Sequence, residues 1–176
     1  MIKIELKGAA WQFKSGGVRL TRAVMAEVGD EAAEGYKARL DKGMGVDSSG
    51  RETRLAPLSA LTIGRKGSSI PLVDTGGMKD SFQVDKSALT ERRAVVAFSP
   101  EQAMKAGVLQ AGAKIAIKHA KALRIPVGPG RGAGRSSGAI YRKSVTIPPR
   151  PHVGLSDRDK EGIVKVLQPW ARGLLA

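Results

Sequence analysis

Cysteine is absent from all 176 residues. That absence excludes a disulfide framework, thiolate zinc sites and thiol catalysis, and it fits a reducing compartment. Aromatic residues make up only 4% of the chain, and the basic stretch described below contains just one, Tyr141. Platforms that stack single-stranded bases need several. Histidine occurs twice, at His119 and His152, without the spacing of a metal site. Each is read as a packing or surface residue. No apolar run approaches the ~18 residues of a membrane-spanning helix. Residues Met1–Leu6 alternate charged and apolar side chains and lack the apolar core of a signal peptide. A soluble protein made in the cytoplasm, with no membrane partner, is expected.

Catalytic signatures are missing as well. The glycine tract at 128–134 fails the dinucleotide and P-loop spacings, and Gly64–Ser69 lacks the first half of a P-loop. No Gly-x-Ser-x-Gly elbow is present. No carboxylate pair marks an acid–base couple. We therefore expect no cofactor, no metal and no catalytic residue, and read the chain as non-enzymatic. Zinc-finger, RNA-recognition and helix-turn-helix patterns are also absent.

Acid is the scarcest commodity in one region. Glu101 and Asp157 are consecutive acidic residues, and the stretch between them carries ten basic ones. These are Lys105, Lys114, Lys118, Lys121, Arg124, Arg131, Arg135, Arg142, Lys143 and Arg150. The whole chain has a net charge of +14, from 30 basic and 16 acidic residues. The remainder thus holds 20 basic against 16 acidic and is nearly balanced. A charge so localised implies an acidic partner, a nucleic acid or an acidic neighbouring subunit. Its plainer meaning is the solvated face of a helix.

The length suits one domain, and local patterns outline it. Alternation over residues 2–6 predicts a strand, and Gly16-Gly17 a break. Met25, Val28, Ala32, Tyr36 and Leu40 form the stripe of a helix over 18–42, ending at Gly43. Residues 43–71 read as a long loop with one helical turn near Ser59–Ile63, capped by Ser59. Residues 72–82 read as a turn with one helical turn, which Thr75 or Asp74 is placed to cap. Phe82, Val84, Val95, Val96 and Phe98 mark two strands joined by a hairpin. Residues 101–124 carry a weak helical stripe interrupted by Gly107 and Gly112, and 126–138 form a low-complexity tract. Tyr141–Ile147 is strand-like. Ser156 caps a last helix with Asp159 in capping-box position, its face being Ile163, Leu167, Trp170 and Leu174. Pro169 is expected to kink or end it.

The fold predicted is α+β: a small antiparallel sheet of residues 2–6, 80–86, 93–98 and 140–147, packed against an N-terminal and a C-terminal helix (18–42 and 156–175), with long extended loops. A single domain spans 1–176, with a basic glycine-rich arm at about 124–146. Core candidates are Met25, Val28, Tyr36, Phe82, Val96, Phe98, Ile163, Leu167 and Trp170.

Three motifs occur in order: Pro57-Leu58-Ser59 with Thr62 and Lys66; Leu72-Val73-Asp74-Thr75-Gly76 with Met78 and Ser81; and Ile147 to Asp157 through Pro148, Pro149, Arg150, Pro151, His152 and Gly154. The ordered set resembles the phage virion morphogenesis family, the tail completion proteins of Mu-like and P2-like tailed phages. The chain departs from that pattern at Leu55-Ala56, where the family carries Trp, and at Leu109–Gly112, where a His–aromatic–Gly turn is common. The resemblance implies a structural protein of the head–tail junction, located in the virion. It would complete the tail as a homo-oligomeric, hexameric ring around the DNA channel. Its partners would be further copies of itself, the neighbouring connector and tail-tube proteins and, nonspecifically, packaged DNA. On that view Lys114, Lys118, Lys121, Arg124, Arg131, Arg135, Arg142, Lys143 and Arg150 form an interface or channel-facing surface. The alternative is a nonspecific nucleic-acid-binding protein.

Overall fold

The computed structural model describes residues 3–7, 10–15, 20–117, 121–127 and 138–173. Strands β1 (Lys3–Lys7) and β2 (Ala10–Lys14) open the chain as an antiparallel pair, Ile4 opposite Phe13. The sequence reading anticipated only the first. Helix α1 (Arg22–Asp41) starts where the Thr21 hydroxyl accepts a hydrogen bond from Val24 N at 3.2 Å. It closes at Gly43, which takes φ +67° as a chain reversal after a helix requires. Strands β3 (Met44–Val46) and β4 (Glu52–Arg54) form a hairpin inside the expected loop. The Asp47 carboxylate holds the turn, accepting from the backbone N–H groups of Ser49 and Arg51. Helix α2 (Ala60–Lys66) begins under the Ser59 cap and ends at Gly67, φ +74°. Helix α3 (Gly77–Asp80) is the predicted single turn, but its N-cap is Gly76 and no side chain caps it. Neither Thr75 nor Asp74 fills that role. Strands β5 (Gln83–Val84) and β6 (Arg93–Ala97) pair antiparallel as expected, and α4 (Pro100–Ala111) follows.

Beyond Gly112 the structure corrects the sequence reading. The helical stripe expected through 124 is replaced by β7 (Ala113–Ala116) and β8 (Leu123–Val127). Gly112, at φ +73°, turns the chain so close to Ile147 and Pro149 that a side chain there would meet their backbone at 2.8–2.9 Å. That close approach commits the next residues to strand pairing. Tyr141–Ile147 divides into β9 (Gly138–Arg142) and β10 (Ser144–Ile147). β10 pairs with β7 and β9 with β8, as two separate antiparallel ribbons. Residues 140–147 are therefore not part of the main sheet. Helix α5 (Asp157–Gly173) runs through Pro169 instead of ending there.

The main sheet has strand order β1-β2-β6-β5, antiparallel throughout. α1 covers the face that presents Phe13, Ala94 and Val96, and α5 packs on α1. The architecture is thus α+β, with the two terminal helices in contact. Gly29 lets α1 close on the sheet, since a Cβ there would lie 2.6 Å from Val84 Cγ2. Tyr36, Phe82 and Phe98 pack ring against ring, with centroids 4.4 Å (Tyr36–Phe82) and 4.6 Å (Phe82–Phe98) apart. Burying each such side chain stabilises the fold by about 1.5–3 kcal/mol. Seven of the expected core residues are buried; Leu167 and Trp170 pack at its margin, half exposed.

Candidate functional site

The last of the three sequence motifs is built into the body by buried polar groups. Gln110, at the end of α4, turns its side-chain oxygen onto the 152–153 backbone. It accepts from His152 N at 2.7 Å and Val153 N at 2.9 Å, and it lies 2.8 Å from His152 Nδ1. The His152 ring is fully buried beside Phe98 and Tyr36. Burial, with Arg39 nearby, pushes its pKa down to about 4, so the ring is neutral at physiological pH. The chain then enters α5 through the predicted capping box. Ser156 N donates to Asp159 Oδ2 at 2.7 Å, and Asp159 N donates to Ser156 Oγ at 3.2 Å.

Arg150 ties this motif to the first one. Its Nε donates to Ala56 O at 3.0 Å and its Nη2 to Pro57 O at 3.3 Å. The residue is buried. Arg150 was expected with the interface or channel-facing cations; within this chain its guanidinium is bonded to two backbone carbonyls.

Around Arg150 the three motifs line one groove of about 750 Å³. Leu58, Thr62 and Lys66 come from the first motif, Leu72, Asp74 and Thr75 from the second, and Arg150 from the third. Leu109 of α4 and Ile125 of β8 complete an apolar lining, with Arg65 and Lys105 at the wall. Four cations thus face one carboxylate. Lys66 donates to Ile70 O. Burial presses its pKa below the usual lysine value, Asp74 opposing and Arg150 adding to the effect. Leu72 holds φ +65°, a left-handed backbone that costs a branched side chain roughly 1–2 kcal/mol. Strain of this kind persists where the surroundings over-determine it and gathers at functional positions.

The other expected site residues divide between the ribbons. Lys114 is exposed on β7, on the ribbon face it shares with Thr146. Arg124 and Tyr141 are cross-strand neighbours on one face of the β8–β9 ribbon. Arg142 pairs with Leu123, and strand alternation puts it on the opposite face. Lys121 and Lys143 are exposed in the connections. Lys114 lies on a strand and not on the expected helical face. Lys118, Arg131 and Arg135 lie outside the described residues. None of the five exposed cations makes an ion pair among the described residues.

Sequence reasoning missed the roles of Gln110, Arg39 and Glu52. Glu52 accepts from Ser156 Oγ at 3.2 Å. Arg39 had a signal available: it sits beside Leu40 on the apolar stripe of α1, where a charge demands a buried partner. Gln110 had none, because its three contacts lie 42 and 43 residues away. Among the described residues no group of three His, Asp or Glu side chains is placed to hold a metal, and no helix is long and apolar enough to cross a membrane.

The chain matches no protein-family model, no curated protein and no solved structure.

Proposed function

We propose that this chain is a structural protein of a tailed-phage virion, acting at the head–tail junction to complete the tail and join it to the head. It assembles as a homo-oligomeric ring around the DNA channel, between connector and tail-tube proteins. The observation that carries the reading is the convergence of the three motifs on one groove. Residues separated by up to 94 positions along the chain are bonded beside this one groove, Arg150 to Ala56 and Pro57. Those are the motifs on which the family resemblance rests. The polar groups around them cap, brace and orient backbone, which suits a protein whose task is shape and contact. The projecting cations at 114–143 supply a surface for a neighbouring subunit or for passing DNA.

The test is genetic. Removing this chain from the genome that encodes it is expected to leave filled heads and separate tails, unjoined, by electron microscopy of lysates. Normal tailed particles in its absence would end the proposal.

The exposed, unpaired cations favour a second reading, nonspecific nucleic-acid binding. It predicts binding to duplex DNA at ~50 mM salt that falls steeply as salt rises. Absence of binding at that salt counts against it.

A further inference from the structure

The groove has a feature that the chain's own packing does not need. Gly64 lies inside α2 and lines the groove, yet a Cβ there would meet nothing within 4 Å. A mid-helix glycine destabilises by roughly 0.5–1 kcal/mol relative to alanine. α2 is in a poor position to carry that cost. It has seven residues, and none of them is buried. Isolated helices this short are marginal. Ile63 stands 36% exposed on it. A bare backbone facing an open apolar groove is what close approach by another chain requires.

We propose that this groove is a docking site for a short segment of a different protein, one that carries large apolar side chains among carboxylates. Charge decides the sign: Arg65 and Lys105 are exposed at the groove, with Lys66 and Arg150 bonded to chain carbonyls behind them, and Asp74 is the single carboxylate in the lining. The apolar lining of Leu58, Leu61, Leu72, Leu109 and Ile125 decides the need for apolar anchors. A second copy of this chain fits badly. Among the described residues its exposed large apolar side chains are Ile63, Met104, Val108, Ile115, Tyr141 and Val164. Each has a lysine or arginine within three residues in the sequence, and only Met104 and Val164 also have a carboxylate that near. The bound segment lies across α2 with its backbone at Gly64, its apolar side chains in the groove and its carboxylates toward Lys105 and Arg65.

The experiment uses the purified full chain and a fluorescein-labelled peptide of about twelve residues, glutamates with leucines spaced as in a helix-in-groove ligand. Anisotropy is expected to show micromolar binding. Replacing its leucines by serines is expected to abolish binding. On the protein, Lys105→Glu is expected to weaken binding about tenfold. Gly64→Leu is expected to abolish it, and Lys165→Glu on α5, outside the groove lining, to leave it unchanged. Gly64→Ala is the control for folding: it raises the thermal midpoint while weakening binding, a combination that mere loss of structure does not produce. The proposal is overturned if the serine peptide binds equally, or if Gly64→Leu and Lys105→Glu bind like the parent. It is also overturned if Lys165→Glu loses binding, or if the leucine peptide does not bind at about 100 μM. Self-association that Gly64→Leu abolishes would assign the groove to a second copy instead. None of these results depends on the virion reading, since only the isolated chain and a synthetic peptide are used.

Discussion

Arg39 of α1 and Asp159 of α5 form a buried ion pair, 120 residues apart in sequence, with both side chains almost wholly removed from solvent. Arg39 Nη2 also donates to Gly154 O at 2.6 Å, and Asp159 also closes the capping box of α5. One carboxylate thus fixes both the docking of α5 and the start of that helix.

Removing half of such a pair leaves a charge stranded in the interior. Asp159→Ala is expected to destabilise the protein by about 3–5 kcal/mol, measured as a fall in ΔG from urea unfolding. Replacing both partners with apolar residues, Arg39→Met with Asp159→Leu, is expected to cost much less, although the cap is lost. A double variant as unstable as the single one would show that the pair itself holds the helices together.

Gly45 is the tightest point of the β3–β4 hairpin. A Cβ there would sit against the Pro151 carbonyl and 2.5 Å from Leu55 Cδ2. Since the first obstacle is backbone, Gly45→Ala is expected to destabilise by more than 2 kcal/mol, in the range of overpacked cores. Gly67→Ala offers the contrast. It has open space around it and only its positive φ at stake, so a cost of about 1 kcal/mol is expected. Equal thermal midpoints for the two variants would refute the steric account.

His152 makes stability depend on pH in a defined window. Its native pKa is near 4, below the 6.5 of an unfolded histidine. Between those values the unfolded chain binds more protons than the native one. Stability from this group is therefore complete above about pH 6.5 and is lost as pH falls toward 4. The loss amounts to about 3 kcal/mol. His152→Phe, which keeps a ring beside Phe98, is expected to flatten that part of the curve. An unchanged slope in chemical-denaturation series would assign the acid sensitivity to other groups.

Gln110 presents a case of concentrated dependence. Gln110→Leu strips two buried backbone donors, at His152 and Val153, of their acceptor. A loss of about 2–4 kcal/mol is expected, with faster hydrogen exchange at both amides. Glutamate at 110 keeps the acceptor and is expected to preserve slow exchange there at neutral pH.

Much of the body was legible in the sequence because its signals are local. The α1 stripe, the Gly43 stop, the Ser59 cap and the Ser156–Asp159 capping box each need only a few consecutive residues to be read. The 113–124 segment failed for the opposite reason. Its Ala-rich spacing resembles a weak helix, and what makes it a strand is pairing with Ser144–Ile147, about 30 residues on. The same holds for the site: the cations were visible, but not that Arg150 turns inward to Ala56 and Pro57 while Arg124 stays outside. β3 and β4, at three residues each, are too short for alternation to register.

Among the described residues, the two ribbons contribute no side chain to the buried cluster that Phe13, Tyr36 and Phe82 share with both terminal helices. Their hydrogen bonds can therefore open without exposing that cluster. The molecule is then expected to open in two cooperative units. Amides of β7–β10 are expected to exchange by local opening, at rates insensitive to core substitutions, and those of α1 and β6 only on global unfolding. A surface organised in this way can be reshaped by whatever it meets while the scaffold behind it keeps its full stability.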